Sequence, residues 1–268
     1  MKPTPTSKIV HQVWFNFKGT KKGRKPPKKL LEFKKRCMKM NKGWEYMLWD
    51  EKKSLQLLRL NYPWFIKTYE TYPNAIQRTD AIRYFILDKY GGFYMDFDIE
   101  CLKSFDQIRA DFPGDVYFAQ SANSMISDIA SNCFMYSNPK TEFFQYMISN
   151  LKETSERIWY QTRHMFIMDS TGPKFLTNMI RTWESVGGKE KIGIFPAAKF
   201  NPYGLRQSID WDYREKGFYT VHHGLGSWEE NDSNILKDIF CNIELVIFAA
   251  ILIILVLIYG KRINAAYR

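Results

Sequence analysis

The chain has 268 residues, of which 45% are hydrophobic and 16% aromatic, which predicts one large α/β domain and excludes a mainly disordered protein. Its formal net charge of +11 predicts a field that attracts anions, such as nucleic acid, anionic lipid or a phosphate-bearing substrate. The sequence has no helix-turn-helix pattern, zinc-ligand spacing or base-stacking signature, so we expect no nucleic-acid partner.

The first half of the chain alternates between strand-like and helix-like segments. In chain order we predict a strand at 8–15, a helix at 28–39, a strand at 45–49, helices at 51–60 and 75–90, and a short strand at 93–95. Asn74 stands where it can cap the helix that begins at Ala75, and Gly91 and Gly92 end that helix. This alternation favours a mostly parallel sheet flanked by helices.

A basic stretch runs from Lys18 to Lys29 and leads into the first predicted helix. One interpretation is a solvated loop followed by an amphipathic helix. The other is a surface that contacts lipid headgroups or an anionic acceptor. Charge alone leaves both interpretations open.

The second half of the chain continues the same pattern. We predict strands at 116–119, 133–136, 192–195 and 218–222, and helices at 139–151 and 173–186. The four cysteines are scattered and form no Cys-x-x-Cys pair: Cys37, Cys101, Cys133 and Cys241. We therefore predict buried thiols in place of a disulfide framework or a zinc site.

The C-terminal part of the chain is apolar. Residues 239–260 form a nearly uncharged run, hydrophobic on all sides, that is about as long as a membrane-spanning helix; a buried core helix is the alternative. We predict a catalytic domain at 1–236, a single transmembrane helix at 239–260 and a basic tail at 261–268. An anchor at this end without a signal peptide suggests a cytosolic catalytic domain, whereas the basic tail favours a cytosolic C-terminus, so the sidedness stays open.

The segment from Tyr94 to Glu100 is the most informative about chemistry, because three acids alternate with apolar residues in it. Alternation places Asp96, Asp98 and Glu100 on one side of an extended chain, where unpaired carboxylates would repel one another. A hard divalent cation such as Mn²⁺ or Mg²⁺ suits these oxygens and can hold a diphosphate at the same time. Since ligands of α/β sheets bind beyond the carboxyl ends of strands, the motif predicts a metal–diphosphate site there.

The surroundings of this motif resemble a known family. Residues 75–84, followed by Tyr90-Gly91-Gly92-Phe93-Tyr94-Met95-Asp96-Phe97-Asp98, are similar to the signature of glycosyltransferase family 32, the sugar-binding-region enzymes with an Asp-x-Asp motif. Blocks at 9–15, 169–173 and 222–228 agree with this resemblance. It extends to inositol phosphoceramide mannosyltransferases and initiating α-mannosyltransferases, and distantly to clostridial glucosylating toxins. It implies a GT-A type, Rossmann-like mixed sheet flanked by helices.

The resemblance implies a set of metal ligands. Asp98 would bind the metal directly, whereas Asp96 would contact the metal through water and would also contact the donor. His222 would be a late metal ligand, through either ring nitrogen of its neutral imidazole, and His223 is the alternative to it. The implied catalytic residues are Asp80, Arg83, Asp96 and Asp98.

The resemblance also implies donor and acceptor contacts. The implied donor-binding residues are Trp14, Asp80, Arg83, Tyr94, Asp96, Ser227 and Trp228. Asp80 and Arg83 would hold the sugar, although their helical spacing also fits a surface ion pair. Trp14 would stack on the base, or would belong to the core. Asp169 and Thr171 would line the acceptor side, or would cap the helix that starts at 173.

The implied activity is metal-dependent glycosyl transfer that retains the anomeric configuration and needs no protein nucleophile. The donor would be a UDP-hexose, a UDP-N-acetylhexosamine or GDP-mannose. The acceptor would be a glycan or a glycolipid, such as an inositol phosphoceramide-like lipid, and the location a Golgi- or ER-type membrane. Two rival interpretations stay open: a non-catalytic membrane adaptor that binds anionic lipid through its basic face, and a metal-dependent phosphate-ester hydrolase.

Overall fold

A computed structural model describes residues 7–15, 25–122, 130–204 and 207–225, together with positions 251 and 253. The chain divides into two compact units, Met1–Trp228 and Glu229–Arg268, and nearly all described residues belong to the first. Within the described residues, no helix combines the length and the apolar character needed to cross a bilayer. The transmembrane helix predicted at 239–260 lies outside those residues, except at 251 and 253.

Strands and helices alternate along the first unit. The described strands are β1 (Ile9–Val13), β2 (Glu45–Trp49), β3 (Gly92–Met95), β4 (Ile99–Cys101), β5 (Val116–Gln120), β6 (Ala130–Ser137), β7 (Ile192–Phe195) and β8 (Thr220–His222). The described helices are α1 (Lys28–Met40), α2 (Glu51–Asn61), α3 (Ile66–Thr71), α4 (Ala75–Tyr90), α5 (Phe105–Asp111), α6 (Glu142–Asn150), α7 (Arg163–Ser170), α8 (Pro173–Ser185) and α9 (Ala197–Phe200). Short 3₁₀ turns lie at Pro63–Phe65 and Tyr213–Glu215.

Six strands form the central sheet, in the order β2-β1-β3-β6-β5-β7. The β1–β2, β1–β3 and β5–β7 pairs are parallel, whereas β6 runs antiparallel to both β3 and β5. The sheet is therefore mixed, with a majority of parallel pairs, as predicted. Strands β4 and β8 form a separate antiparallel pair, in which Ile99 lies opposite His222.

Alternate side chains of the sheet enter two hydrophobic cores. Tyr94 of β3 and Met135 of β6 lie in one core, and Phe93 and Phe134 lie in the other. Because successive strand residues point to opposite faces, a wholly apolar strand such as β3 is buried on both sides. Burial on both sides fixes where the carboxyl end of β3 emerges, and therefore where Asp96 lies.

Helix α4 contributes most of its surface to the first core. Almost every position from Ile76 to Asp88 is buried, and the buried set includes polar side chains such as Asp80 and Arg83 as well as the apolar ones. The helix begins after Asn74, as predicted, and the Asn74 N–H donates to Oε1 of Gln77 at 3.2 Å. It ends at Gly91, whose φ of 64° is a conformation that glycine adopts without steric cost.

The prediction for two of the cysteines is wrong. Cys37 of α1 and Cys101 of β4 form a disulfide, with their Cα atoms 5.2 Å apart, where we predicted buried thiols. The partners are 64 positions apart in the chain, so short-range cysteine spacing does not predict the bond. Cys133 is a buried free thiol, as predicted, and Cys241 lies outside the described residues.

Some predicted elements have the observed bounds, whereas several short described elements were not predicted. The bounds of β2, α4 and β7 are the predicted ones. Five described elements have no predicted counterpart: α3, β4, α5, α7 and α9. The longest of them, α7, has 8 residues. Such segments are too short for hydrophobic periodicity to distinguish a helix or a strand from a loop.

Candidate active site

The acidic motif lies at the carboxyl end of β3. Asp96 follows the last residue of that strand, and its N–H donates to the Cys133 carbonyl at 2.8 Å. The chain then turns into β4, and the Ile99 N–H donates to the Asp96 carbonyl at 3.2 Å. The motif is therefore a turn between two short strands, and the expectation of an extended segment is wrong.

Asp96, Asp98 and His222 converge at this turn. Each offers one ligand atom, and these atoms all lie within 4.8 Å of one another. The β4–β8 pairing brings His222 to the motif, since it places His222 opposite Ile99. Nε2 of His222 is 3.3 Å from Oδ1 of Asp98, and the Leu225 N–H donates to Oδ2 of Asp98 at 2.9 Å. Two carboxylates and an imidazole form a donor set that fits a divalent cation such as Mn²⁺.

His223 faces away from this group of three. Its Nε2 lies 3.1 Å from Oε2 of Glu100, and its ring stacks on Phe33 with the centroids 4.2 Å apart. Its backbone N–H donates to the Asp98 carbonyl at 2.9 Å, which helps to hold β8 beside the motif. The interpretation of His223 as a substitute ligand is therefore wrong for this arrangement, in which His222 faces the carboxylates.

The two carboxylates of the motif have opposite pKa shifts. Burial raises the pKa of Asp96, although Arg83 lowers it, and the charge of Asp98 adds to the rise. Burial also acts on Asp98, but the bond and the charge of His222 hold the pKa of Asp98 below its ordinary value. Burial disfavours the His222 imidazolium, yet Cys133 and Asp98 raise the pKa of His222 well above 6.5. A cation that binds here therefore competes with a proton on His222.

A buried ion pair on α4 lies against the motif. Nη2 of Arg83 is 2.8 Å from Oδ1 of Asp80, and the two side chains are only 5% and 7% exposed, so the alternative of a surface ion pair is wrong. Nη1 of Arg83 is 3.4 Å from Oδ1 of Asp96 and donates to the Asn132 carbonyl at 2.8 Å. Burial raises the pKa of Asp80 to about 7, although Arg83 lowers it. The guanidinium therefore links the helix to the acidic turn.

Tyr94 supports Asp96 from behind. Its hydroxyl donates to Oδ1 of Asp96 at 2.6 Å, and the Arg83 guanidinium carbon lies 4.7 Å from the centre of its ring. Tyr94 is only 1% exposed, and its polar contacts within the described residues include Asp96 and Arg83. A direct contact between Tyr94 and the donor stays a prediction.

Glu100 faces protein cations. Its Oε1 accepts from Nη1 of Arg36 at 2.8 Å and from Nη2 of Arg214 at 2.9 Å. Its Oε2 accepts from the Tyr213 hydroxyl at 2.6 Å and lies 3.1 Å from Nε2 of His223. Burial alone would raise the pKa of Glu100, but these partners lower it to about 2. The expectation that all three acids of the motif face one cation is therefore wrong for Glu100, which fastens β4 to its surroundings.

Trp14 follows β1 and borders the acidic turn. Its ring packs edge-on against Phe97, which separates the two motif aspartates, with the centroids 5.4 Å apart. Leu30 and Phe33 belong to the same small cluster, in which Trp14 is only partly buried. The position next to the motif suits a base platform, and the cluster also gives Trp14 a packing role.

The predicted acceptor residues have structural partners. Oδ2 of Asp169 accepts from Nε2 of Gln161 at 2.8 Å, and Oδ1 of Asp169 is 2.7 Å from Nζ of Lys174. Helix α8 begins after Gly172 with no side-chain cap, so the capping interpretation of Asp169 and Thr171 is wrong. Their acceptor role stays a prediction.

Several site residues were not predicted from the sequence. Asn132 contacts both members of the buried pair on α4. Its Nδ2 lies 3.3 Å from Oδ1 of Asp80, and its carbonyl accepts from Nη1 of Arg83. It precedes a predicted strand, but an isolated asparagine carries no signal of such a role. Arg36 and Arg214 were also missed. The predicted donor residues Ser227 and Trp228 lie outside the described residues.

The sequence is similar to those of known glycosyltransferases. Residues 27–113 match the glycosyltransferase sugar-binding region containing a DXD motif. The chain is 28% identical over 263 residues to inositol phosphoceramide mannosyltransferase 2 of Schizosaccharomyces pombe. This alignment covers 97% of this chain and 70% of that protein. It is 27% identical over 262 residues to mannosyl phosphorylinositol ceramide synthase CSH1 of Saccharomyces cerevisiae, which covers 97% of this chain and 62% of that protein. This chain thus spans about two thirds of the length of these two relatives.

A solved structure with a similar fold is the ligand-free glycosyltransferase domain of the YGT toxin. The TM-score is 0.52 at 8% sequence identity, and the match covers 70% of this chain and 80% of that one. At this identity the similarity concerns the fold alone. It confirms the predicted GT-A-like, mixed α/β architecture of the described unit.

Proposed function

We propose that the chain is a glycosyltransferase of the family whose sugar-binding region contains a DXD motif, and that it transfers mannose to an inositol phosphoceramide-like lipid. The proposed reaction depends on Mn²⁺ or Mg²⁺ and retains the anomeric configuration. GDP-mannose is the proposed donor, with UDP-hexoses and UDP-N-acetylhexosamines as the alternatives. The names of the fungal relatives support the choice of sugar and acceptor.

The observation that carries the proposal is the convergence of Asp96, Asp98 and His222 within 4.8 Å beyond the carboxyl end of β3. These three residues would hold the metal ion. When bound, the ion supplies Lewis-acid neutralisation of the charge on a departing nucleoside diphosphate. The chain holds the three ligands in place: the β3–β4 turn positions the two aspartates, and the β4–β8 pairing positions His222.

The buried pair on α4 would position the donor. Arg83 contacts both Asp80 and Asp96, so a sugar held by Asp80 has a fixed position relative to the diphosphate site. Fixed placement of this kind lowers the barrier because the orientation is prepared before the reaction. Asp80 accepts from Asn132 and is nearly fully buried, which limits the rotamers that it can adopt.

Trp14 would provide the base platform. Its ring is partly buried and packs against Phe97, the residue between Asp96 and Asp98. A nucleotide whose diphosphate reaches the motif would therefore bring its base near the Trp14 ring. Stacking on an aromatic ring does not depend strongly on base identity. The platform therefore fits guanine and uracil alike, and only a direct comparison of donors can identify the nucleotide.

We propose an endomembrane location of Golgi or ER type, with residues 239–260 as the anchor and the catalytic domain on the lumenal side. The Cys37–Cys101 disulfide supports the lumenal side, because disulfides persist in oxidising compartments and are rare in the cytosol. Resistance of residues 7–225 to protease in sealed microsomes would agree with this assignment. Digestion of the domain without detergent would contradict it.

The decisive test is a donor panel with the full chain in detergent. GDP-mannose, UDP-glucose, UDP-galactose and UDP-N-acetylglucosamine are each incubated with Mn²⁺ and inositol phosphoceramide, and both nucleotide release and labelled lipid are measured. We expect labelled lipid with GDP-mannose and its loss in Asp98→Asn. Asp210→Asn is the matched control, because Asp210 forms an exposed ion pair with Lys216.

Other outcomes of the donor panel would support one of the two alternative functions. A non-catalytic adaptor would release no nucleotide from any donor and would bind anionic vesicles equally well after Asp98→Asn. A phosphate-ester hydrolase would release inorganic phosphate without labelling the lipid. Either result would overturn the proposal.

A further inference from the structure

An aromatic turn projects from the surface between α6 and α7. Trp159 is 92% exposed, and its neighbours Ile158 and Tyr160 are 48% and 58% exposed. We call these three residues the aromatic tip. The rings of Trp159 and Tyr160 pack edge to face, with their centroids 5.6 Å apart. Three consecutive large apolar side chains in solvent are unusual for a soluble surface, where single exposed hydrophobic residues are the rule.

The tip is held rigidly from its base. The Gln161 N–H donates to the Ile158 carbonyl at 3.0 Å, and the Ile158 N–H donates to Oε1 of Gln161 at 3.0 Å. The Arg157 guanidinium donates to the Gln161 carbonyl through Nε, at 2.9 Å, and through Nη2. Nε2 of Gln161 donates to Asp169 of α7 at 2.8 Å. The chain therefore holds the rings in solvent by a closed set of hydrogen bonds.

Helix α7 connects the tip to the helix that carries the candidate active site, because it bonds to both of them. Nε of Arg163, at the start of α7, donates to Oδ1 of Asn74 at 3.0 Å, and Nε2 of Gln77 donates to Oγ of Ser170 at 2.7 Å. Asn74 and Gln77 form the first turn of α4, the helix that carries Asp80 and Arg83. A surface bound by the tip is thus fixed relative to that helix.

Two kinds of binding partner, a protein and a sugar, do not fit the aromatic tip. A protein partner would need a larger area: two aromatic rings offer roughly 150–250 Å² each, whereas a specific interface takes about 800 Å² from each partner. A sugar would need polar side chains beside the rings to fix its hydroxyls. The neighbouring polar groups, on Arg157 and Gln161, are already bonded to one another and to Asp169.

We propose that the aromatic tip docks on a lipid bilayer and inserts its rings at the level of the headgroups. Tryptophan and tyrosine favour that depth because their rings are apolar and their N–H and O–H groups remain hydrated. A small protruding tip enters a bilayer interface at low cost, since no complementary surface has to be shaped. This inference uses only the exposure and the clamp of residues 157–161, so it does not depend on the transfer reaction.

Fluorescence quenching by brominated lipids tests the proposal with the full chain. Vesicles of phosphatidylcholine and phosphatidylinositol carry bromine either near the headgroups or near the acyl-chain ends, and unbrominated vesicles give the baseline. The chain has 8 tryptophans, so each variant removes one fluorophore. Trp159→Phe removes the reporter from the tip and keeps an apolar ring there. Trp211→Phe is the matched control, because Trp211 is 91% exposed in a different loop.

We expect Trp159→Phe to lose a distinct share of the quenching by bromine near the headgroups, with a smaller loss for bromine near the chain ends. Trp211→Phe should leave the quenching unchanged. Unaltered quenching in Trp159→Phe, or equal losses in both variants, would overturn the proposal. So would a fluorescence change on adding soluble methyl α-mannoside that Trp159→Phe abolishes, because that change would assign the tip to a sugar. Donor turnover in the same samples is a separate readout, so the proposed function can fail without affecting this result.

Discussion

Replacing Glu100 by glutamine removes one negative charge and keeps the shape of the side chain. In the native protein its two oxygens accept only, from Arg36 and Arg214 on one side and from Tyr213 on the other. In Glu100→Gln, the NH₂ group can face only the Tyr213 side, where the hydroxyl can also accept, because the two arginines only donate. The two arginines also lose their counter-charge. We therefore expect a loss of stability without a change of fold.

The magnitude follows from the pKa of Glu100. The surroundings lower this pKa from 4.5 to about 2, and each unit corresponds to about 1.4 kcal/mol of differential stabilisation. The charged form of Glu100 therefore stabilises the fold by about 3 kcal/mol. Counting hydrogen bonds supports the same order, since bonds to a charged group contribute about 1.5–3 kcal/mol each. The two arginines are 51% exposed and regain water when the carboxylate is lost, so the sum over all bonds would be an overestimate.

The contribution of Glu100 also depends on pH in a defined direction. A carboxylate whose pKa is lower in the folded than in the unfolded protein stabilises the fold fully above the unfolded value, here 4.5. The stabilisation is lost as the pH falls towards about 2, where the folded-state carboxylate becomes protonated. The gap between wild type and Glu100→Gln should therefore be constant at neutral pH and should close between these two values.

Urea denaturation followed by circular dichroism measures this gap at pH 7 and at a series of lower pH values. Asp210→Asn is the control, because its ion pair with Lys216 is exposed and screened by solvent, so its loss should change the stability little. A loss in Glu100→Gln as small as that of the control would show that the Glu100 carboxylate does not stabilise the fold. A gap that stayed constant down to pH 2 would show that the lost stability does not come from the carboxylate charge.

Three further predictions follow from the site and the fold. His222→Ala should weaken Mn²⁺ binding by roughly tenfold or more, whereas His223→Ala should change it less, and titration calorimetry with GDP present separates the two; equal effects would contradict the assignment of ligands. Replacing both Cys37 and Cys101 by serine opens a loop of 64 residues and should lower the free energy of unfolding by about 4 kcal/mol in urea denaturation, whereas an unchanged midpoint would contradict the disulfide. Trp14→Ala should raise the KM for the donor by about tenfold and Trp14→Phe by less, as expected for stacking; an unaltered KM in both would leave Trp14 a packing role only.

The sequence predicted those parts of the fold whose signals are local. Helix α4 has a start signal at Asn74 and a stop at Gly91, and β3 is an apolar segment between glycine and an acid, so both were predicted within a residue of their observed bounds. Strand β4 has only three residues and exists because it pairs with β8, about 120 residues later. No local pattern encodes such a pairing.

In the candidate site, too, local sequence signals predicted some residues and could not predict those whose role depends on long-range contacts. Asp96 and Asp98 were found from the alternation of acids after a strand, and His222 through the family resemblance; the structure brings these residues together. The role of Glu100 could not be found, because the sequence places three acids in alternation and gives no sign of the turn between β3 and β4. The partners of Glu100 lie on α1 and near β8, and Arg36 adjoins Cys37 just as Glu100 adjoins Cys101. Only the three-dimensional contact reveals that these neighbours pair together.

The central claim is that Asp96, Asp98 and His222 hold one divalent cation together with a nucleoside diphosphate. Electron paramagnetic resonance of Mn²⁺ with the full chain and GDP or UDP tests it most directly, since bound and free Mn²⁺ give different spectra. We expect one nucleotide-dependent Mn²⁺ site in wild type and in Asp210→Asn, and its loss in Asp98→Asn. Equal Mn²⁺ binding by wild type and Asp98→Asn would contradict it.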